Sequence, residues 1–342
     1  MTIQQREFYK LFSEHGSGDA KVTISPQEVL AMLYIATSDL GLNLPKCTNS
    51  AFKKIAQLGF YNISHKDIDK LPKLSVGESF AFMEQCQITN INNIAFLYMK
   101  NLCHLYRRRV KYYSILKTQP FPNAEQIVPR SLLEYGNCEN QLLADWLEWR
   151  KWIFDIDNRS AQETGYVFEP ILASCLGGES VSANNSPVKR INEKGEPTSN
   201  GRQIDCYISE DREVYELKMR VTIAASGQGR FSEEMSFPYE AQKAGLTPVL
   251  VVLANNDSIL LTKLKKRYSE CGGRYYIGED AWDMLKKRAG EEMGIFINKY
   301  IYPPINYMEG LLHSNPHKVT LSKQNSKIVI SSNRNKYVID RL

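Results

Sequence analysis

The chain has 342 residues, of which 43% are hydrophobic and 24% charged, a composition typical of a folded globular protein. The longest apolar run, PVLVVLA at 248–254, is far below the ~20 residues that a membrane-spanning helix needs, and the first residues lack the apolar core of a secretory signal. Seven scattered cysteines without a C-x-x-C pair and five histidines without an H-E-x-x-H motif argue against a disulfide framework and a zinc enzyme. These features predict a protein of the reducing cytoplasm.

The net charge of +5 is unevenly distributed along the chain. Residues 100–117 contain six lysines and arginines and no acid, and residues 311–342 contain six more against the single Asp340. Such concentrated positive charge suits a polyanionic partner such as nucleic acid. The alternative for both segments is an ordinary solvated surface.

The first 145 residues are predicted to be mostly helical. SPQEVLAMLYIATSDLG begins with a serine cap and a proline and ends at a glycine, which are start and stop signals of a helix. A long helix is predicted over INNIAFLYMKNLCHLYRRRVKYYSILK, and another over NQLLADWLEWRKWIFDI. In the second of these, Trp146, Trp149 and Ile153 share one face and are expected in the core. We expect residues 1–145 to form a DNA-recognition or dimerisation module.

From residue 160 the pattern changes to alternating strands and helices. A predicted helix over 161–176 precedes three strand-like runs, SPVKRI, RQIDCYIS and REVYELKMRV, and then the helix SEEMSFPYEAQKAG and the buried strand TPVLVVLA. This order predicts a mixed α/β core over residues 146–256. Helical patterns followed by three short alternating runs predict C-terminal helices and a small antiparallel sheet over residues 257–342.

Three charged side chains, Asp205, Glu216 and Lys218, interrupt two consecutive strands of this core. If the strands pair through a turn of two or four residues near Glu210-Asp211, all three share one face, because side chains alternate with period two. A two-residue turn sets Asp205 opposite Glu216, and a four-residue turn sets it opposite Lys218. The other face then holds Ile204, Cys206, Ile208, Tyr215, Leu217 and Met219. The alternative is a hairpin whose charged face is exposed to solvent and has no function. The buried run TPVLVVLA, however, favours a sheet covered on both faces.

These residues resemble the PD-(D/E)XK nuclease superfamily, which includes type II restriction endonucleases. ID at 204–205 and ELK at 216–218 match its motif, and the helices and strands over about 160–256 match its core. Ile204 stands where the motif has proline, a position that does no chemistry. The segment VTIAASGQGR is also similar to enzymes of the ApaLI restriction type. The resemblance implies an α/β fold with a mixed central sheet flanked by helices.

The resemblance also implies a Mg²⁺-dependent type II restriction endonuclease. Such an enzyme cuts both strands of a specific double-stranded DNA sequence, acts as a homodimer, and shares its cell with a cognate DNA methyltransferase. Two alternatives remain open: another nuclease on the same core, for repair, recombination or structure-selective cleavage, and a non-catalytic DNA-binding protein on a nuclease core. The motifs GxxxxGK[ST] and G-x-S-x-G are absent from the sequence, which argues against a P-loop enzyme and a serine hydrolase.

Mg²⁺ takes carboxylate and carbonyl oxygens as ligands. Asp205 and Glu216 are therefore expected to hold one or two ions, with the carbonyl of Leu217 as an additional ligand. The family often adds an acid from its first helix, for which Glu169 is the candidate. Glu163 is the alternative, and Glu169 itself has the alternative of an ordinary exposed glutamate.

Lys218 is expected to orient or deprotonate the attacking water and to stabilise the developing charge. The candidates for contacts with DNA are Arg220, Gln228 and Arg230 around the S-G-Q-G-R loop, and Arg107, Arg108, Arg109 and Lys111 in YRRRVKYY. Glutamine and arginine suit adenine and guanine edges as well as phosphates. The alternatives are a plain turn before a helix for the first set and a solvated helix face for the second.

Overall fold

The N-terminal region is mostly helical, as the sequence predicts. The computed structural model describes residues 1–15, 21–46, 50–219, 228–255, 258–312, 319–332 and 335–341, with side chains for all of these except 228–230, 309, 310 and 312. The N-terminal helices are α1 Ile3–Ser13, α2 Pro26–Asp39, α3 Ser50–Leu58, α4 His65–Ile68, α5 Val76–Gln85, α6 Ile94–Thr118 and α7 Ala124–Ser131, and β1 Glu14–His15 pairs with β2 Val22–Thr23.

The expected start of α2 is confirmed. The Ser25 hydroxyl accepts a hydrogen bond from the Glu28 N–H at 3.3 Å, and Pro26 occupies the first turn. Glu28 Oε2 in return accepts from the Ser25 N–H at 2.6 Å. Such a capping box satisfies N–H groups that the helix leaves unpaired.

One continuous helix, α8 Asn140–Cys175, replaces the two helices predicted over 140–156 and 161–176. The polar residues between them contain no proline or glycine, so nothing in the backbone stops the helix there. The expected burial of the aromatic stripe is wrong in part, because Trp146 is 52% exposed and Ile153 is 39% exposed. The buried tryptophan of this helix is Trp152, which stacks on Phe121 at 5.2 Å between ring centroids.

The central sheet has five strands in the order β3-β6-β7-β8-β9. These are β3 Glu179–Val181, β6 Ile204–Ile208, β7 Glu213–Lys218, β8 Thr247–Val252 and β9 Arg274–Ile277. The pairs β3–β6 and β6–β7 are antiparallel, whereas β7–β8 and β8–β9 are parallel. This arrangement confirms a mixed sheet, with β3 and β9 in addition to the predicted strands.

The predicted strand SPVKRI lies outside this sheet. It forms β4 Lys189–Ile191, which pairs with β5 Pro197–Gly201 in a separate hairpin, and β5 is not among the predicted strands. The sequence there is polar because the hairpin is largely exposed, so its strands lack the apolar pattern that identifies a buried strand.

Helices cover both faces of the central sheet. On one face, Cys206, Tyr215 and Leu217 belong to the same buried cluster as Val167 and Ile171 of α8, a cluster that extends into the N-terminal helices. The other face packs against α9 Gln228–Lys243 and α10 Ile259–Glu270. The run TPVLVVLA is accordingly buried on both sides, as its composition predicts.

The C-terminal region contains the expected helices and small sheet. The helical part consists of α11 Glu279–Phe296, a π-helical stretch Ile297–Ile301 and α12 Tyr302–Leu312. An antiparallel sheet follows, formed by β10 Val319–Gln324, β11 Lys327–Ser332 and β12 Asn335–Asp340. Ile328 and Ile339 of that sheet share a buried cluster with Leu116 of α6 and Trp152 of α8. Within the described ranges, no helix is both long and apolar enough to cross a membrane.

Candidate active site

The hairpin of β6 and β7 has the register of a two-residue turn. Cys206 pairs with Tyr215 and Ile208 with Glu213, so continuation of the same register sets Asp205 opposite Glu216. The Arg212 N–H donates to the Ser209 carbonyl at 3.2 Å, which closes the turn over Glu210-Asp211. The first of the two registers that strand parity allows is therefore the observed one.

A β-bulge changes the alternation at Asp205. Tyr207 pairs with Glu179 of β3, but Ile204 pairs with Val181, so β6 contains one extra residue between these two pairs. A bulge reverses which way the following side chains point. Ile204 accordingly packs with Val214 on the α9 side of the sheet, which corrects its expected place beside Cys206.

Asp205 is held at this bulge by the neighbouring strand. Its Oδ2 accepts a hydrogen bond from the backbone N–H of Leu217 at 2.9 Å. Burial raises the pKa of the Asp205 carboxyl well above its usual value of 3.8, and the negative charges of Glu216 and Glu169 raise it further. Asp205 thus lies in a buried cluster of like charges, which is characteristic of functional sites.

Glu169 of α8 belongs to the same cluster. Burial raises the pKa of its carboxyl, and the charge of Glu216 raises it further against the opposing effect of Lys218. Glu163, the alternative to Glu169, lies instead near Arg108 and His15, where burial lowers both pKa values and the charge of Glu163 opposes that shift. The structure therefore brings Glu169 together with the strand residues and leaves Glu163 apart from them.

Lys218 lies between two carboxylates from different elements. Its Nζ donates to Glu216 Oε1 and to Glu234 Oε1, each at 3.0 Å, and its side chain is only 16% exposed. Burial favours a lower pKa for Lys218, but the attraction of Glu216 and Glu234 outweighs this and raises the pKa. The ammonium form of Lys218 is therefore favoured at this site.

Glu234 is a site residue that sequence reasoning missed. It belongs to α9, the helix that covers the charged face of the hairpin, and its Oε2 is buried without a hydrogen-bond partner among the described residues. The available signal was the acidic pair in SEEMSFPYEAQKAG, a helix placed between the two central strands. Only the packing of that helix on β7 selects Glu234 from its neighbour Glu233.

Glu169, Lys218 and Glu234 line one cleft of about 670 Å³ beside α8. Its further wall consists of α8 residues Asp157, Ser160, Ala161, Thr164, Gly165, Phe168 and Leu172, together with Leu217, Met219 and Ala254. Arg108 reaches this wall from α6, because its Nη2 donates to Ser160 O at 3.2 Å and to Thr164 Oγ1 at 3.1 Å. The cleft thus combines three acids with a guanidinium along its side.

The other residues of YRRRVKYY have different surroundings. Arg107 and Lys111 are buried, and Arg107 Nη1 donates to the carbonyls of Leu11 and Phe12 at 2.9 and 2.6 Å. Arg109 is exposed and donates to Phe60 O at 3.1 Å. Burial removes Arg107 and Lys111 from any surface that a duplex can reach, which corrects their place among the expected DNA contacts.

The predicted contacts after β7 lie outside the described part of the protein. Arg220 and most of the segment VTIAASGQGR are outside the described residues, and so are the side chains of Gln228 and Arg230.

The carboxylates are not gathered around a single point. Among the side chains that the structure describes, no three of the His, Cys, Asp and Glu type lie close enough together to enclose a metal ion. The carboxylates are kept apart by their hydrogen bonds. Glu216 accepts from Lys218 Nζ, and Asp205 accepts from the Leu217 N–H. In chemical terms, however, the cluster of Asp205, Glu216 and Glu169 is an all-oxygen donor set suited to a hard divalent cation.

Comparison with known proteins identifies the family of this chain. The type II restriction enzyme ApaLI of Acetobacter pasteurianus is 48% identical over 221 residues, which cover 64% of this chain and 58% of that enzyme. No solved structure matches the chain. The family model of the ApaLI-like restriction endonucleases matches residues 63–302, a range that contains every member of the acidic cluster and Lys218. The chain belongs to the ApaLI-like restriction endonuclease family.

Proposed function

We propose that this protein is a Mg²⁺-dependent type II restriction endonuclease with a PD-(D/E)XK core, which hydrolyses phosphodiester bonds in both strands of a specific double-stranded DNA sequence. The observation that carries the proposal is the convergence of Glu169, Lys218 and Glu234 on one cleft, next to Asp205 and Glu216. Membership of the ApaLI-like family supports the same activity.

Asp205, Glu216 and Glu169 are the residues that would hold Mg²⁺, with the Leu217 carbonyl as a further ligand. Their fit rests on their carboxylate oxygens, which Mg²⁺ prefers as ligands. Burial raises the pKa values of Asp205 and Glu169, and the neighbouring carboxylates raise them further. A divalent cation relieves such repulsion and favours the ionised carboxylates. When bound, Mg²⁺ supplies charge neutralisation at the phosphate oxygens and help for the leaving oxygen.

Lys218 supplies a fixed positive charge beside the scissile phosphate. Its ammonium is held by two carboxylates at 3.0 Å, so it can donate a hydrogen bond to a phosphate oxygen and orient the attacking water without moving far. Preorganised donors of this kind stabilise charge that develops in the transition state. Arg108, on the wall of the same cleft, is placed to bind a neighbouring phosphate.

Removal of the Glu234 carboxylate is expected to slow cleavage. In Glu234→Ala the Lys218 ammonium loses one of its two carboxylate partners, and we expect the single-turnover rate to fall by about 10-fold to 100-fold, the range typical of residues that orient a functional group. Glu234→Gln, which keeps an oxygen acceptor, should recover part of the rate. The matched control is Glu233→Ala, since Glu233 is exposed and pairs with Arg190; equal rates for all three variants and the parent would rule out this role.

The remaining parts of the proposal concern assembly and context. Residues 1–145 serve as a DNA-recognition or dimerisation module, residues 146–256 as the catalytic core, and residues 257–342 as its C-terminal extension. A homodimer matches a palindromic site because both share two-fold symmetry. We further propose that the enzyme acts in the cytoplasm, where a cognate DNA methyltransferase protects the host sequence.

The test is a digest of mixed-sequence duplex DNA with Mg²⁺ and, in parallel, with EDTA. Discrete fragments with Mg²⁺ alone are the expected result, and the sequences at their ends give the recognition site and the cleavage positions. A smear of products would instead favour a nonspecific or structure-selective nuclease. Intact DNA under all metal and salt conditions would refute the enzymatic proposal.

A further inference from the structure

Three cationic side chains lie close to one another where α8 and the C-terminal sheet contact the segment that follows α6. Arg159 Nη1 donates to Gln119 Oε1 at 3.3 Å, and Arg341 Nη1 donates to Gln119 O at 2.7 Å. Arg341 and Lys323 also lie over the Phe121 ring, at 5.2 and 4.8 Å from its centroid. We refer to Arg159, Lys323 and Arg341 as the corner cluster.

The positive charge of the corner cluster is not balanced locally. None of its three members forms an ion pair with a carboxylate of the described residues. Asp157, the acid closest to Arg159 in sequence, lines the catalytic cleft. Asp155 pairs with Lys151 and Asp340 with Lys327. Like charges held together without an acid are unfavourable in the free protein, and an anion that binds there removes this repulsion.

Helix α8 connects the corner cluster to the catalytic cleft. Ile156 packs against the C-terminal sheet, and Ser160, four residues later on the same side of the helix, lines the cleft. Arg159 precedes Glu169 by ten residues, which corresponds to about 15 Å at the rise of an α-helix. Arg108 lies between the two, at Ser160 and Thr164, so positive groups follow the helix from the corner to Lys218.

We propose that the corner cluster binds a backbone phosphate of the duplex outside the cleavage position, because Arg159 lies about 15 Å along α8 from Glu169. The inference rests on the proposed nuclease function and identifies the phosphate backbone as what this surface contacts. Lys323 and Arg341 lie beyond residues 63–302, the range that the family model matches, so this contact belongs to the C-terminal extension of the chain.

The test uses full-length protein, EDTA to prevent cleavage, and a duplex whose cleavage position has been mapped with the wild-type enzyme. Arg159→Gln combined with Lys323→Gln removes two charges and leaves the packed Arg341 in place. At 0.1 M salt the affinity should fall by roughly tenfold for each lost contact, and the slope of log K against log salt should decrease by about 0.9 for each. Lys327→Gln, on the same sheet but paired with Asp340, should stay within about twofold of wild type by comparison with the tenfold effect.

A scan with single neutral methylphosphonates locates the contact. One substitution outside the cleavage position should weaken wild-type binding but have no further effect on the double variant. Arg159→Lys with Lys323→Arg keeps both charges and should restore binding, which separates charge from folding. Wild-type affinity and salt slope in a double variant that still cleaves would overturn this inference alone. Failure of the wild-type protein to bind or cleave any duplex would overturn the proposed function and this inference with it.

Discussion

Replacement of Lys218 by alanine is expected to lower the single-turnover cleavage rate by about 10²–10³-fold, the loss typical when one preorganised donor to a developing negative charge is removed. Affinity for the duplex should change much less, because Lys218 is a single cation beside two carboxylates that already neutralise it in the free protein. Rapid-mixing cleavage assays at saturating enzyme, with separate binding measurements, distinguish the two effects.

The control for this variant is Lys263→Ala, which removes the same group from an exposed position on α10. We expect it to cleave at the parent rate. If the Lys218→Ala protein cleaved within a factor of about three of the parent, a difference below 1 kcal/mol in barrier height, Lys218 would have no part in the chemistry and the site assignment would fail.

The substitution Asp205→Asn is expected to lower the cleavage rate and to raise the stability of the metal-free protein. Loss of the carboxylate removes a metal ligand and should reduce cleavage by about 10³-fold, a loss of several kcal/mol of transition-state stabilisation. The metal-free protein, however, should become more stable at neutral pH, because burial disfavours the ionised Asp205 and Glu216 and Glu169 repel it in the fold. The amide oxygen can still accept the Leu217 N–H that Asp205 accepts now.

The pH dependence of stability gives a sharper measure of the same effect. Because the folded-state pKa of Asp205 is raised above 3.8, the folded protein binds more protons than the unfolded chain between the two pKa values. The stabilisation by protonation is complete below the unfolded pKa and is lost as pH rises through the folded pKa. In Asp205→Asn the loss of stability with rising pH should be smaller than in the parent. It should not disappear, because the pKa of Glu169 is also raised.

Thermal unfolding in EDTA from pH 4 to 8 measures this difference. Each kcal/mol of relieved destabilisation should raise Tm by roughly 1–2 °C in a chain of this size. Asp211→Asn is the matched control, since Asp211 lies in the turn of the same hairpin and pairs with Arg288. A wild-type pH dependence in Asp205→Asn, or a lower Tm at pH 8, would show that repulsion among these carboxylates does not destabilise the fold.

The parts of the site that the sequence predicts are those governed by local periodicity. Alternation along two strands placed Asp205, Glu216 and Lys218 near one another, and the observed pairing of Cys206 with Tyr215 has one of the two registers allowed. Helix signals likewise identified the start of α2 and the helices of the N-terminal region. Short-range rules suffice where neighbouring residues determine the geometry.

The parts that the sequence could not predict depend on contacts between distant segments. The bulge at Asp205 follows from pairing with β3, a strand of three residues too short to show a pattern. Glu234 meets Lys218 only because α9 packs across β7. Arg107 is buried because it donates hydrogen bonds to carbonyls of α1, about 95 residues away in sequence. The basic run around an arginine gives no local sign of such burial.

The continuity of α8 has a consequence for which changes in length the protein tolerates. One added residue between Arg159 and Glu169 would turn every following side chain by about 100° around the helix axis, since 3.6 residues complete a turn. Glu169 would then leave the cleft, because α8 is one continuous helix from Asn140 to Cys175. The turn of the β4–β5 hairpin, residues 192–196, is exposed and polar, so insertions there should leave the catalytic geometry intact. Natural and engineered relatives should therefore vary in length at that turn and keep a constant number of residues along α8.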